Sequence, residues 1–101
     1  MPDMKILALE TEVPDTTAEQ FATHLAAEAR RAWELHQAGV IRELYFRADR
    51  EEAVLVLESA SLEEARGALA TLPLVRAGLI GFDLIPLRAY PGFERLFAGA
   101  R

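Results

Sequence analysis

Two short segments of the chain, residues 4–11 and 53–58, are mostly apolar. Such runs with a two-residue side-chain period predict β-strands, and apolar side chains on both faces are typical of strands at the centre of a sheet. Residues 40–47 and 79–87 predict two further strands. These carry charged residues or a proline, which suits strands at the edges of a sheet.

Two other segments have the periodicity and the start signals of helices. Thr16-Thr17-Ala18-Glu19 and Ser61-Leu62-Glu63-Glu64 both match the capping-box pattern at a helix N-terminus. We expect the first helix to run to about Ala38, with Gly39 as its stop, and Pro73 to end the second.

The predicted order of elements is βαββαβ, which is the ferredoxin-like arrangement. The predicted fold class is therefore α+β, with a four-stranded antiparallel sheet and two helices on one of its faces. A chain of 101 residues is enough for one domain. We assign residues 1–90 to this domain and residues 91–101 to a C-terminal tail at an oligomer interface.

The face of the sheet that the helices leave open is also predicted to be apolar. In the third strand, Leu55 and Leu57 share one face, while Val54 and Val56 share the other. An apolar face several strands wide is too large to leave exposed on a monomer. We therefore expect a homodimer that packs sheet to sheet as a dimeric α+β barrel; the alternative is that the tail covers the sheet of its own chain.

Composition and charge exclude several classes of function. The net charge is -5, with arginines scattered among acidic residues, so we expect no nucleic-acid partner. No apolar run approaches a membrane span, and we expect a cytoplasmic protein without a membrane partner. The chain has no cysteine, and its two histidines are twelve positions apart, so we expect no metal site. It also lacks a glycine-rich phosphate loop and a Gly-x-Ser-x-Gly motif, which disfavours nucleotide hydrolysis and covalent catalysis.

Glu28 is the most informative polar residue of the first helix. At about 100° per residue it falls inside the apolar stripe rather than opposite it. The stripe contains Phe21, Leu25, Ala32 and Leu35. A carboxyl group that faces the sheet should have its pKa raised by desolvation, which can make a general base for carbon acids. The alternative is an ion pair of Glu28 with Arg31, Arg42 or Arg47.

Five other residues are candidates for the same site. His24 lies beside the apolar stripe and could move a proton, and Tyr45 could donate to a substrate oxygen. Arg42 or Arg47 could hold a carboxylate, and Asp83 could be a second carboxylate. For the strand residues, the alternative is an edge strand with solvated charges. Alternation predicts one shared face of the second strand for Ile41, Glu43, Tyr45 and Arg47.

The chain resembles the muconolactone isomerase family from about Phe21 to Tyr90. The segments that carry the resemblance are Glu34-Leu35 with Gly39, Glu58-Ser59, Leu72-Pro73-Leu74 and Pro86-Leu87. The resemblance implies a ferredoxin-like subunit that dimerises through its sheet. It also implies an enzyme that moves a proton within an unsaturated lactone, without a cofactor, in the catabolism of aromatic compounds. Glu28 aligns with an acidic position of the family, whereas Leu25 stands where a basic residue is expected.

The sequence thus predicts a cofactor-independent isomerase of a small lactone or carbonyl-bearing acid. Glu28 would be the base, His24 or Tyr45 an acid, and Arg42 or Arg47 the anion anchor. One alternative is a small-molecule-binding or stress-response module without catalysis, in which a tight arginine pair neutralises Glu28. A further alternative is a cofactor-free monooxygenase of the same fold, which would need a larger pocket.

Overall fold

The protein folds into a four-stranded antiparallel sheet with helices. This is seen in a computed structural model, which describes residues 3–98. The strands are β1 (Met4–Glu12), β2 (Ile41–Phe46), β3 (Ala53–Ser59) and β4 (Ile80–Leu87). The helices are α1 (Ala18–Ala22), α2 (Leu25–Gln37), α3 (Leu62–Leu69), α4 (Pro73–Arg76) and α5 (Arg95–Ala98), with a 3₁₀ helix (Gly92–Glu94) before α5. The sheet order is β2-β3-β1-β4, so the predicted α+β fold and its two central strands are confirmed.

The core lies between the sheet and the helices. Ile6 and Ala8 of β1 and Leu55 and Leu57 of β3 are almost completely buried on the helix-facing side. They pack with residues of β2, α2, α3 and the α3–α4 connection, namely Ile41, Leu35, Ala65, Leu69 and Leu72. Each fully buried leucine or isoleucine contributes about 1.5–3 kcal/mol through the hydrophobic effect. This packing holds α2 against β2, the place where the candidate site is found.

The predicted first helix is divided into two. It begins within the predicted segment, with Thr17 as the N-cap, but α1 ends at Ala22 and α2 begins at Leu25. The Thr23 hydroxyl donates to the Gln20 carbonyl, a local bond that competes with regular helical pairing. The expectation of one continuous helix to Ala38 was therefore wrong at this position, and His24 becomes the N-cap of α2.

The second helical region also differs at its C-terminal end. The helix α3 ends at Leu69, before the predicted stop, and Pro73 begins a new short helix. Proline fits the first position of a helix because the missing N–H would have no partner there. Leu72 is the N-cap of α4, and its side chain cannot accept a hydrogen bond from a free backbone N–H in the first turn of that helix. None of the helices described within residues 3–98 has the length and apolarity to cross a membrane.

A β-bulge changes which residues of β2 share a face. Ile41 pairs with Leu57 and is 1% exposed on the helix side, but the register shifts between Ile41 and Glu43. Glu43 then pairs with Val56, on the outer side of the sheet. The prediction that Ile41 shares a face with Glu43 and Tyr45 was therefore wrong, because the extra residue at Arg42 inverts the alternation, whereas Glu43 and Tyr45 do share the outer face.

Nothing described in the chain covers the outer face of the sheet. Leu7, Leu9, Val54 and Val56 are only partly buried there. In the C-terminal segment, Tyr90, Phe93, Leu96 and Phe97 are 64% to 73% exposed. The radius of gyration is 16.7 Å, whereas a compact chain of this length has about 13 Å. The segment to Ala98 therefore does not cover the sheet of its own chain; residues 99–101 of the predicted tail lie outside the described residues.

Candidate active site

A cavity of about 370 Å³ lies between α2, α4 and the helix-facing side of the sheet. Its wall is formed mainly by apolar side chains, among them Leu25, Ala29, Ala32, Leu44, Phe46, Leu55, Leu72, Leu74, Ile80 and Phe82. Leu44 and Phe46 of β2 and Leu25 of α2 are half or more exposed. The cavity is therefore open towards solvent on the side of β2 and α2, and this opening offers a route for a small molecule.

Glu28 turns into this cavity from α2, as the helical period predicted. Its Oε1 accepts a hydrogen bond of 2.9 Å from the backbone N–H of Leu74. Burial raises the pKa of the Glu28 carboxyl, while the bond from Leu74 and the nearby charge of His24 lower it. The net shift is upward, as a general base needs if it is to take a proton from carbon near neutral pH.

The arginines that could have neutralised Glu28 have other partners. Arg31 donates to the Thr71 hydroxyl at 2.8 Å and to Glu34 at 3.0 Å. Arg42 lies 3.4 Å from Glu58. Arg47 makes an ion pair with Asp49. Within residues 3–98, no cation is in ion-pair distance of Glu28.

A second carboxyl group, Glu10 of β1, lines the same cavity. The β1–β3 ladder reaches Leu9 and Val54, and one position further Glu10 Oε1 accepts a 2.8 Å bond from the Ala53 N–H. Burial is the largest cause that raises the pKa of Glu10, and the negative charges of Glu52 and Glu28 raise it further. Sequence analysis missed this residue, although the period of two after Ile6 and Ala8 places it on the helix-facing side.

His24 lies one helical turn before Glu28 but does not line the cavity. It is half-buried at the N-cap position of α2, and its side chain makes no capping bond. Its influence on the cavity is electrostatic, since its charge lowers the pKa of Glu28.

Tyr45 is among the residues that line the cavity, but its phenol has a partner outside it. It is 56% exposed and pairs with Val54, on the outer side of the sheet. Its hydroxyl donates to Glu43 at 2.9 Å, and this bond raises the pKa of the Tyr45 phenol. The phenol is therefore directed to a residue outside the cavity rather than towards Glu28.

The other predicted substrate-binding residues do not line the cavity. Asp83 of β4 pairs with Leu9, on the outer side of the sheet. Asp83 and Arg47 line a second cavity of about 340 Å³, which Glu10 also lines. Arg42 is exposed beside Glu58. The structure thus brings Arg47 and Asp83 together, but separates both from Glu28.

The cavity therefore combines an apolar wall with two carboxyl groups that are each held by one backbone N–H. In the described residues, Oε2 of Glu10 and Oε2 of Glu28 accept no hydrogen bond from the protein. Each group has a free oxygen that can exchange a proton with a bound molecule. This arrangement can perform general acid–base chemistry on a small ligand.

Comparisons with known proteins point to one group of enzymes. The family model described as muconolactone delta-isomerase matches residues 6–92. Among solved structures, a crystal structure of muconolactone isomerase superimposes with a TM-score of 0.72 at 23% identity, covering 87% of this chain and 92% of that chain. No curated protein matches the sequence significantly. The match in structure supports the fold described above.

Proposed function

Because the chain belongs to the muconolactone delta-isomerase family, we propose that it is a cofactor-independent isomerase that moves a proton within a small lactone or related carbonyl compound. The observation that carries this proposal is the carboxyl group of Glu28 in an apolar cavity of about 370 Å³. Family membership supplies the type of reaction, and the cavity supplies a residue that can perform it.

In the proposed reaction, the Glu28 carboxylate takes a proton from the carbon next to a carbonyl group. The electron pair of the broken C–H bond forms an enolate or enol, which is conjugated with the double bond of the substrate. The protonated Glu28 then gives the proton to the far end of the conjugated system, and the double bond has moved. No electrons leave the substrate, so the reaction needs no redox partner.

The size of the cavity and the surroundings of Glu28 favour this function over the two alternatives. Ligand pockets range from about 300 to 1,000 Å³, and 370 Å³ is at the small end of that range. A small lactone fits better than the polycyclic substrate of a monooxygenase. A binding module was expected to neutralise Glu28 with an arginine, but Arg31, Arg42 and Arg47 pair with Glu34, Glu58 and Asp49 instead.

We also propose that the protein acts as a homodimer or a larger homo-oligomer. The outer sheet face carries Leu7, Leu9, Val54 and Val56, which a second copy packed face to face would cover. The exposed aromatic residues Phe93 and Phe97 of the C-terminal segment would contact a neighbouring copy.

The proposal is tested by following lactone isomerisation by proton NMR in D2O with the Glu28→Gln variant. The assay uses muconolactone, its uncharged carboxamide and simple unsaturated lactones. Gln can still accept the bond from Leu74 but cannot take a proton, so we expect kcat to fall by about 10² or more. The matched control is Glu34→Gln, which removes an exposed carboxylate of the same helix and should keep the wild-type rate.

Two results would overturn the proposal. One is a Glu28→Gln protein that isomerises a lactone at the wild-type rate. The other is a folded wild-type protein that neither isomerises any of these lactones nor exchanges their carbon-bound protons with D2O.

A further inference from the structure

The cavity contains two acidic groups, but within residues 3–98 no arginine, lysine or histidine side chain lines it. Glu28 enters from α2 and Glu10 from β1, so the two carboxyl groups come from opposite layers of the fold. Both line the same cavity, and the charge of Glu28 raises the pKa of Glu10. A bound carboxylate would meet this negative field in an apolar surrounding, where charges interact more strongly than in water.

The arginines around the cavity already form ion pairs with acidic side chains. Arg47 pairs with Asp49 and lies 3.8 Å from Glu52, and Arg50 lies 2.9 Å from Glu52. Arg42 forms an ion pair with Glu58. To bind a substrate carboxylate in this cavity, one of these side chains would have to leave its partner and move into the apolar wall.

We propose that the cavity selects an uncharged carbonyl compound over a carboxylate, with Glu10 in its acid form donating to the carbonyl oxygen while Glu28 takes the proton from carbon. The proton transfer rests on the proposed function, whereas the preference for an uncharged ligand depends only on the cavity.

The surroundings of the two carboxyl groups decide which of them keeps a proton. Two interacting carboxyl groups in one site tend to share a single proton over an intermediate pH range. His24 stabilises the charged form of Glu28. Glu52 instead disfavours the charged form of Glu10, although Arg47 and Arg50 beside Glu52 reduce this effect. Glu10 is therefore the acid of the pair, and Glu28 is the base.

The proton transfers of this mechanism balance. As the C–H bond breaks, its proton goes to Glu28 and its electron pair forms the carbon–carbon double bond of an enol. The carbonyl oxygen takes the proton of Glu10, whose O–H bond breaks. In the second half, Glu28 protonates the distant carbon, the enol O–H proton returns to Glu10, and both carboxyl groups regain their initial states.

Ligand preference is tested by isothermal titration of the full-length protein with two matched probes, muconolactone as its carboxylate and the carboxamide of the same lactone. The carboxamide has nearly the same size without the charge. We expect it to bind at least about tenfold more tightly at pH 7, and Glu28→Gln, which removes the charged member of the pair, to reduce this ratio. Equal or tighter binding of the carboxylate to the wild-type protein would overturn the proposal. So would an unchanged ratio in the Glu28→Gln protein.

The role of Glu10 as an acid is tested by the pH profile of kcat. The wild-type enzyme should lose activity at low pH, as Glu28 is protonated, and at high pH, as Glu10 loses its proton. Glu10→Gln should remove the loss at high pH, because an amide donor does not titrate, and should lower kcat at least about tenfold. A profile that keeps its high-pH limb in this variant would overturn the role of Glu10.

These experiments separate the two proposals. If the carboxamide binds preferentially but no lactone is isomerised, the inferred ligand class stands and the isomerase function fails. If the carboxylate is both bound and isomerised in preference to the carboxamide, the isomerase function stands and the inferred ligand class fails.

Discussion

The carboxylate of Glu28 and the backbone N–H of Leu74 are joined by a 2.9 Å hydrogen bond across 46 positions of the chain. Leu74 is the second residue of α4, where a backbone N–H has no partner inside the helix. Leu72 precedes the helix and has no side-chain acceptor, so Glu28 of α2 provides one from another element. The proposed base therefore also fixes α4 beside the cavity.

This dual role predicts different stabilities for two variants of Glu28. Glu28→Ala removes the acceptor for Leu74 and should lower the free energy of unfolding by about 1 kcal/mol, as the loss of a helix-capping side chain does. Glu28→Gln keeps an acceptor oxygen and should be more stable than Glu28→Ala. Urea unfolding followed by circular dichroism measures both, with Glu34→Ala as the exposed control. Equal stability of the Ala and Gln variants would show that the bond to Leu74 contributes nothing.

The raised pKa values of Glu10 and Glu28 predict the sign of a pH effect on stability. Both pKa values lie above 4.5, the ordinary value for a glutamate, so the folded protein binds these protons more tightly than the unfolded chain. The stability contributed by the protonated groups is fully present below 4.5 and is lost as the pH rises through the folded pKa values. The double variant Glu10→Gln/Glu28→Gln should lack this loss.

The measurement is the difference in unfolding free energy between this double variant and the wild-type protein from pH 4 to pH 8. The difference should move in favour of the variant as the pH rises. Taking the difference matters because Asp49 acts in the opposite direction, since Arg47 lowers its pKa. A constant difference across this range would contradict the raised pKa values.

The sequence was sufficient to predict the fold and the position of Glu28. The apolar faces of β1 and β3 predicted that these two strands lie at the centre of the sheet. The helical period predicted that Glu28 faces the sheet. Both are consequences of repeated hydrophobic patterns, which average over many residues and tolerate local irregularities.

Single-residue irregularities account for what the sequence did not reveal. The bulge at Arg42 arises from the pairing of β2 with β3, and the break at Thr23 coincides with a single local bond from its hydroxyl to the Gln20 carbonyl. Glu10 was overlooked because a charged residue near a strand end is usually solvated. Its role requires the Ala53 N–H, which lies 43 positions away and becomes its neighbour only after folding.

The direction of the Tyr45 hydroxyl predicts a small effect of its removal. The phenol donates to Glu43 on the outer side of the sheet and is not hydrogen-bonded to either carboxyl group of the cavity. Tyr45→Phe should therefore leave kcat for lactone isomerisation near the wild-type value, in contrast to Glu28→Gln. A loss of kcat as large as that of Glu28→Gln would place the phenol in the reaction and contradict this geometry.

The outer face of the sheet predicts a variant that separates the subunits. Val56 of β3 pairs with Leu7 of β1 near the centre of this face, and a glutamate there would put an unpaired charge into the proposed dimer interface. Val56→Glu should shift the protein from a dimer or larger assembly to a monomer in size-exclusion chromatography with light scattering. Arg66→Glu, a charge reversal on the exposed side of α3, should leave the assembly intact. If Val56→Glu keeps the wild-type mass, the sheet face is not the interface and the C-terminal segment becomes the next surface to test.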